Sequence, residues 1–152
     1  VRVGTLRDAR FVTRSLGHMA LRVVAAPALI ERVGIPRDIG ALQGLPLTAL
    51  IDRSSGRPWP WVFSKGRQMS PITPVFLTDD VDAEGSAVLA GAGFGQLVGA
   101  LADPWLRNGQ LIEVLETERP DPWPIHVYRP QRGPVPARVR LVYDALVDAL
   151  KA

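Results

Sequence analysis

The sequence predicts an α/β fold, on three observations. Short runs rich in β-branched and apolar residues alternate with helical patterns along the chain. Proline opens and glycine closes several of those patterns. At 152 residues and 47% apolar composition, the chain can fill a substantial core within one domain.

Taken in order, Val1 to Val3 is a β-like run ended by Gly4, and Leu21 to Ala25 is another, stopped by Pro27. PALIERVG, residues 27 to 34, reads as a short helix with proline at its start and glycine at its end, and IPRDIGAL as a turn into a second helical piece. Leu47 to Ile51 is strand-like and DRSSGRP a polar loop. PWPWVF and PITPVFL read as a hairpin about the turn SKGRQ, kept at an edge by its prolines. After a strand ending at Leu77, the apolar positions Val81, Val88, Leu89 and Ala92 fall on one helical face, capped by Thr78, Asp79 or Asp80. Phe94 to Val98 is a short buried strand, Ala100 to Arg107 a helix ended by Asn108-Gly109, Leu111 to Leu115 a strand, and Ile125 to Tyr128 another. Pro136 opens the last helix, with an apolar stripe of Val139, Val142, Leu146 and Leu150.

Composition excludes several classes of function. No apolar run approaches the ~18–20 residues needed to cross a bilayer, and VRVGTLRDAR lacks the apolar core of a signal peptide, so a cytoplasmic protein is expected. Val1 opens inside a strand-like run, as in a piece of a longer polypeptide. Cysteine is absent, which removes disulfide and thiolate chemistry. His18 and His126 are distant in sequence and too few for a metal site on their own. The 16 arginines and 2 lysines, for a net charge of +3, are scattered among acids rather than gathered into a nucleic-acid surface.

Two motifs imitate chemistry. GAGFG follows a helix and precedes a strand, the reverse of the order a dinucleotide fingerprint needs, and its spacing is GxGxG; Gly91 and Gly93 therefore read as a helix stop and a tight strand entry. DVDAEG begins like a calcium loop at Asp80, Asp82, Glu84 and Gly85, but position 12 is Gly91 instead of a bidentate Glu. The acids instead suit the first turn of a helix, where they complement its partial positive charge. With no GxSxG or HExxH and no paired carboxylates, neither catalysis nor a cofactor is expected. In RPWPWVF a hairpin with one tryptophan packed on the sheet accounts for the aromatic pair better than a stacking surface does.

Six stretches, in order, resemble the C-terminal effector-binding region of LysR-type transcriptional regulators: VRVGTLRD-ARFVTRSLG, LRVVAAPALIERVGIPRDIGAL, SSGRPWPWVF, LTDDVDAEGSAVLAGAGFGQL, WLRNGQLIEVL and PWPIHVYRPQRG-PVPARVRLVYDAL. The resemblance implies a type II periplasmic-binding-protein-like domain of two α/β lobes joined by crossover strands, one lobe largely complete and the other partial. Residues 1–16 would finish part of lobe I, 17–129 form lobe II, and 130–152 return as connector and helix to lobe I. It also implies a small-molecule effector in the cleft, a homo-oligomer (dimer or tetramer), and DNA contact only through a helix-turn-helix domain that the matched stretches do not include. Helix N-termini and strand-end loops favour ligands on physical grounds. In the cleft that the resemblance implies, a small organic effector, carrying a carboxylate or else neutral or hydroxylated, would meet Gly4, Thr5 and Leu6, Leu50 and Ile51, and Thr78, Asp79 and Val81. The alternative from another class is a fragment of a periplasmic-type solute-binding protein.

Overall fold

The computed structural model describes residues 2–3, 11–130 and 136–150. The chain divides into two compact units, Val1–Met19 with Pro122–Ala152, and Ala20–Asp121.

The larger unit, Ala20–Asp121, is built on strand β3 (Leu21–Ala25), which lies between β9 (Gly95–Val98) and β10 (Ile112–Val114), antiparallel to both. Val23, Val24 and Ala25 are buried, on both faces of the strand, and this explains a run of apolar side chains without polar alternation. Val23 and Ala25 pack with Leu29 of α1 (Pro27–Val33), Leu42 of α2 (Ile39–Leu42), Trp61, Phe63, Met69 and Phe94. Val24, on the other face, packs with Val88, Leu97, Ala102 and Leu111, under α3 (Val81–Leu89) and α4 (Gly99–Arg107). The short helices start and stop as their sequences demand: Pro27 opens α1, Gly34 closes it at φ 81°, and Asp38 caps α2 by accepting from the Ala41 amide. Trp61 is buried and Trp59 is not, matching the structural reading of the aromatic pair.

A second sheet carries β4 (Thr48–Asp52) between β5 (Arg57–Pro58), antiparallel, and β8 (Phe76–Thr78), parallel. It joins the first through a parallel bridge between Leu47 and Phe94. The expected hairpin is corrected here. Strand β6 (Trp61–Val62) pairs with β7 (Gln68–Met69), directly across the turn, while PITPVFL runs on to pair with β4 instead. Pro71 and Pro74 have no amide to give a hairpin ladder, whereas the stretch after Pro74 does: the Val75 amide reaches the Leu47 carbonyl at 2.8 Å.

In the smaller unit, β1 (Arg2–Val3) and β2 (Phe11–Met19) flank β11 (Trp123–Pro130), with a register shift between Ile125 and His126. The long β2 was not expected from periodicity. Helix α5 (Ala137–Leu150) buries Tyr143 and Val147, with Leu146 partly covered, against Leu16, Val127 and Ile125. This corrects the expected stripe: Val139 and Val142 are 40% and 61% exposed, because the face four residues apart at 143 and 147 meets the sheet.

Candidate functional site

Strands β4 and β8 run parallel, with Thr48 opposite Phe76, Ala49 opposite Leu77 and Leu50 opposite Thr78. They therefore end side by side, and the chain leaving β8 turns at once into α3. That turn is made by two polar side chains. The Thr78 hydroxyl accepts from the Asp80 amide at 3.1 Å, and the Asp80 carboxylate accepts from the Asp82 and Ala83 amides at 2.9 Å each. Asp80 is thus the cap among the three residues anticipated, and two amides of the first turn are already committed to it. No acceptor among the described residues takes the Thr78 hydroxyl proton, so Thr78 retains one donor.

The neighbouring loop belongs to the same edge. Arg53 pairs with Asp79 at 2.8 Å, both well exposed. The Asp52 carboxylate accepts from the Ser54 hydroxyl, its amide and the Ser55 hydroxyl, which hold its pKa below the usual value. The Trp59 amide donates to the Leu50 carbonyl at 2.7 Å, and the Trp59 side chain is 52% exposed. Leu77 and Val81 are also exposed. Leu50, Ile51, Thr78, Asp79 and Val81 are thus brought together at one edge of this unit. Gly4, Thr5 and Leu6 lie outside the described residues. Trp59 and Arg53 were missed as neighbours of this edge; the prolines on either side of Trp59, which hold it extended, were the available signal.

Beneath the edge lies a buried polar pair. Thr48 and Glu84 are 0% and 2% exposed, and the Thr48 hydroxyl donates to Glu84 Oε1 at 2.9 Å. The face of α3 that packs inward is Glu84, Gly85 and Val88, with Val81 at its open end, which corrects the face expected from Val81, Val88, Leu89 and Ala92. Gly85 is required there because a Cβ would come within 2.9 Å of Trp105. DVDAEG is simply the capped first turns of α3. The glycines behind it serve the turn: Gly91 has φ 74°, and a Cβ on Gly93 would sit 2.9 Å from the Pro46 carbonyl oxygen. Among the described residues no three His, Cys, Asp or Glu side chains gather to hold a metal. The arrangement offers recognition groups, a hydroxyl, an ion pair and apolar surface.

Residues 1–151 match the LysR substrate binding domain, and the chain belongs to that family. It is 34% identical over 149 residues to the uncharacterized HTH-type transcriptional regulator YcaN of Escherichia coli (strain K12), across 95% of this chain and 47% of that protein. It is 32% identical over 119 residues to an HTH-type transcriptional regulator of Xanthomonas campestris pv. campestris (strain 8004), across 76% of this chain and 35% of that protein. The fold is that of the regulatory domain of AphB in Vibrio vulnificus, with a TM-score of 0.80 at 22% identity over 97% of this chain and 72% of that one. The periplasmic-binding-protein-like fold is therefore as expected, and the relatives are transcriptional regulators, which sets the solute-binding alternative aside. The chain spans about half the length, or less, of these curated relatives.

Proposed function

We propose that this chain senses a small-molecule effector for a bacterial LysR-type transcriptional regulator, and that effector binding controls a helix-turn-helix domain lying outside residues 1–152. The match over residues 1–151 supports the regulator class. The observation that carries the site is the convergence of the β4 and β8 ends on the start of α3. On this reading Ala20–Asp121 makes up most of the second lobe, expected over residues 17–129, and Leu50, Ile51, Thr78, Asp79 and Val81 are its effector contacts, with Gly4, Thr5 and Leu6 retained as contacts on the sequence alone. The role is binding rather than catalysis, in the cytoplasm; no helix among the described residues is long and apolar enough to cross a membrane.

The geometry favours a neutral or hydroxylated effector over a carboxylate. Asp80 already occupies two of the amides that would take an anion, and Asp82 adds negative charge beside them, while Asp79 is paired with Arg53. The test is Thr78→Val in the full-length parent. It removes the free donor while Asp80 continues to cap α3, so the inducer response weakens with DNA affinity near normal. An unchanged inducer titration in a reporter strain, with the variant fully folded, rules Thr78 out of the site.

A further inference from the structure

The Thr48 hydroxyl lies between two acceptors, Glu84 Oε1 at 2.9 Å and the Phe94 carbonyl at 3.3 Å, and has one proton to give. The Phe94 carbonyl is also reached by the Thr48 amide at 2.8 Å. An ionised Glu84 here would be a buried carboxylate, with room for about four hydrogen bonds, facing the single Thr48 hydroxyl. Adding one proton resolves this: Glu84 donates to the Thr48 oxygen, Thr48 donates to the Phe94 carbonyl, and each proton has an acceptor. The three groups belong to α3, β4 and the residue just before β9.

We propose that Glu84 and Thr48 form a proton-operated latch that fastens α3 to β4, closed when Glu84 takes up a proton from solvent and loosened when it gives it up.

The surroundings leave the latch to these groups. The elements packed against α3 are β3, β4, β8, β9 and α4. Arg22 of β3 is held by Asp103 of α4 and by Glu113, and Asp52 of β4 is held by Ser54 and Ser55. Arg107 is at the last position of α4, and β8 and β9 carry no titratable side chain. On α3 itself Asp80 caps the amides and Asp82 is exposed, while Arg32 reaches the Gly91 carbonyl beyond the far end. What acts on the Glu84 carboxyl is burial, which pushes its pKa up to about 6 from 4.5; the Thr48 hydroxyl opposes this only while it donates to the ionised carboxylate instead of to the Phe94 carbonyl. A folded value above the unfolded one means stabilisation that is full below the unfolded value, near 4.5, and lost as pH rises through about 6.

The test is a carboxyl-carbon NMR titration of the protein from acid to neutral pH, with melting curves over the same range for wild type and Glu84→Gln. Glu84 should titrate with a midpoint near 6, and the Thr48 and Ala49 amides should move with it. Thr48→Val, which removes the oxygen that accepts the Glu84 proton in the closed latch, should lower that midpoint, whereas a rise shows that the hydroxyl serves the ionised carboxylate and overturns the latch. Glu84→Gln, neutral throughout, should gain on wild type as pH rises, by up to roughly thirty-fold in the folding equilibrium constant. A Glu84 midpoint near 4.5 in the wild-type protein overturns the latch whether or not either variant folds. So does a Glu84→Gln melting profile that tracks wild type at every pH.

Discussion

Gln96 holds the backbone of Val62 with both ends of its amide: Nε2 donates to the Val62 carbonyl at 2.7 Å, and Oε1 accepts from the Val62 N–H at 2.9 Å. A side chain of β9 thus completes the ladder of the two-residue strand β6, which β7 pairs on its other edge. The hairpin carrying buried Trp61, Phe63 and Met69 packs on the main sheet through those side chains, and Gln96 adds the hydrogen bonds between its backbone and β9. Gln96→Leu leaves both backbone groups short of a partner in a partly buried place. The expected loss is about 1–3 kcal/mol in urea unfolding, with an unchanged slope.

Gly93 is where the chain passes closest to another backbone. An added Cβ would lie 2.9 Å from the Pro46 oxygen and 3.1 Å from its carbonyl carbon, neither able to rotate away. The Phe94 amide donates to that same oxygen at 2.9 Å, so any shift strains the junction between the two sheets. Gly93→Ala should lower stability by about 1–3 kcal/mol, read by thermal or urea melting. Gly44→Ala, where a Cβ meets nothing within 4 Å, serves as the control.

Helix α5 presents Val139, Leu141 and Val142 to solvent, at 40%, 70% and 61% exposure. An open groove of about 400 Å³ runs beside it, lined in part by Arg138, Val139, Val142 and Leu146. Exposed apolar surface of this kind recruits another chain. Sedimentation of the 152-residue chain should show self-association at high concentration, reduced by Leu141→Glu with Val142→Glu while the melting temperature holds. A well-folded monomer at all concentrations contradicts this.

Much of the fold was legible because local rules and burial agree. Pro27, Gly34, Asp38 and Gly91 mark helix ends with their own chemistry, and residues 23–25 of β3 form an unbroken apolar run because both their faces are covered. The failures come from partners distant in the chain. Strand β2 mixes Arg14, Ser15 and His18 with its apolar residues, and its pairing with β11, over one hundred residues away, overrides that weak pattern. The pairing of PITPVFL with β4 is likewise set by tertiary context. At the candidate site, the strand-to-helix turn at Thr78 to Val81 could be read from its capping residues. The nearness of Leu50, Arg53 and Trp59 depends on the parallel register of β4 and β8, which leaves no trace in local spacing. Glu84 was read as a first-turn acid, and its burial depends on Thr48, 36 residues earlier, supplying the hydrogen bond.

The most direct test of effector binding at this edge is an amide chemical-shift map of the chain, titrated with compounds selected by thermal-shift screening of sugars, polyols, amino acids and organic acids. The effector-site reading predicts that a stabilising compound moves Leu50, Ile51, Thr78, Asp79 and Val81 together with the Trp59 indole, all saturating at one dissociation constant. Shifts confined to α1, α2 or α5, with Thr78 and Leu50 unmoved at saturation, contradict it.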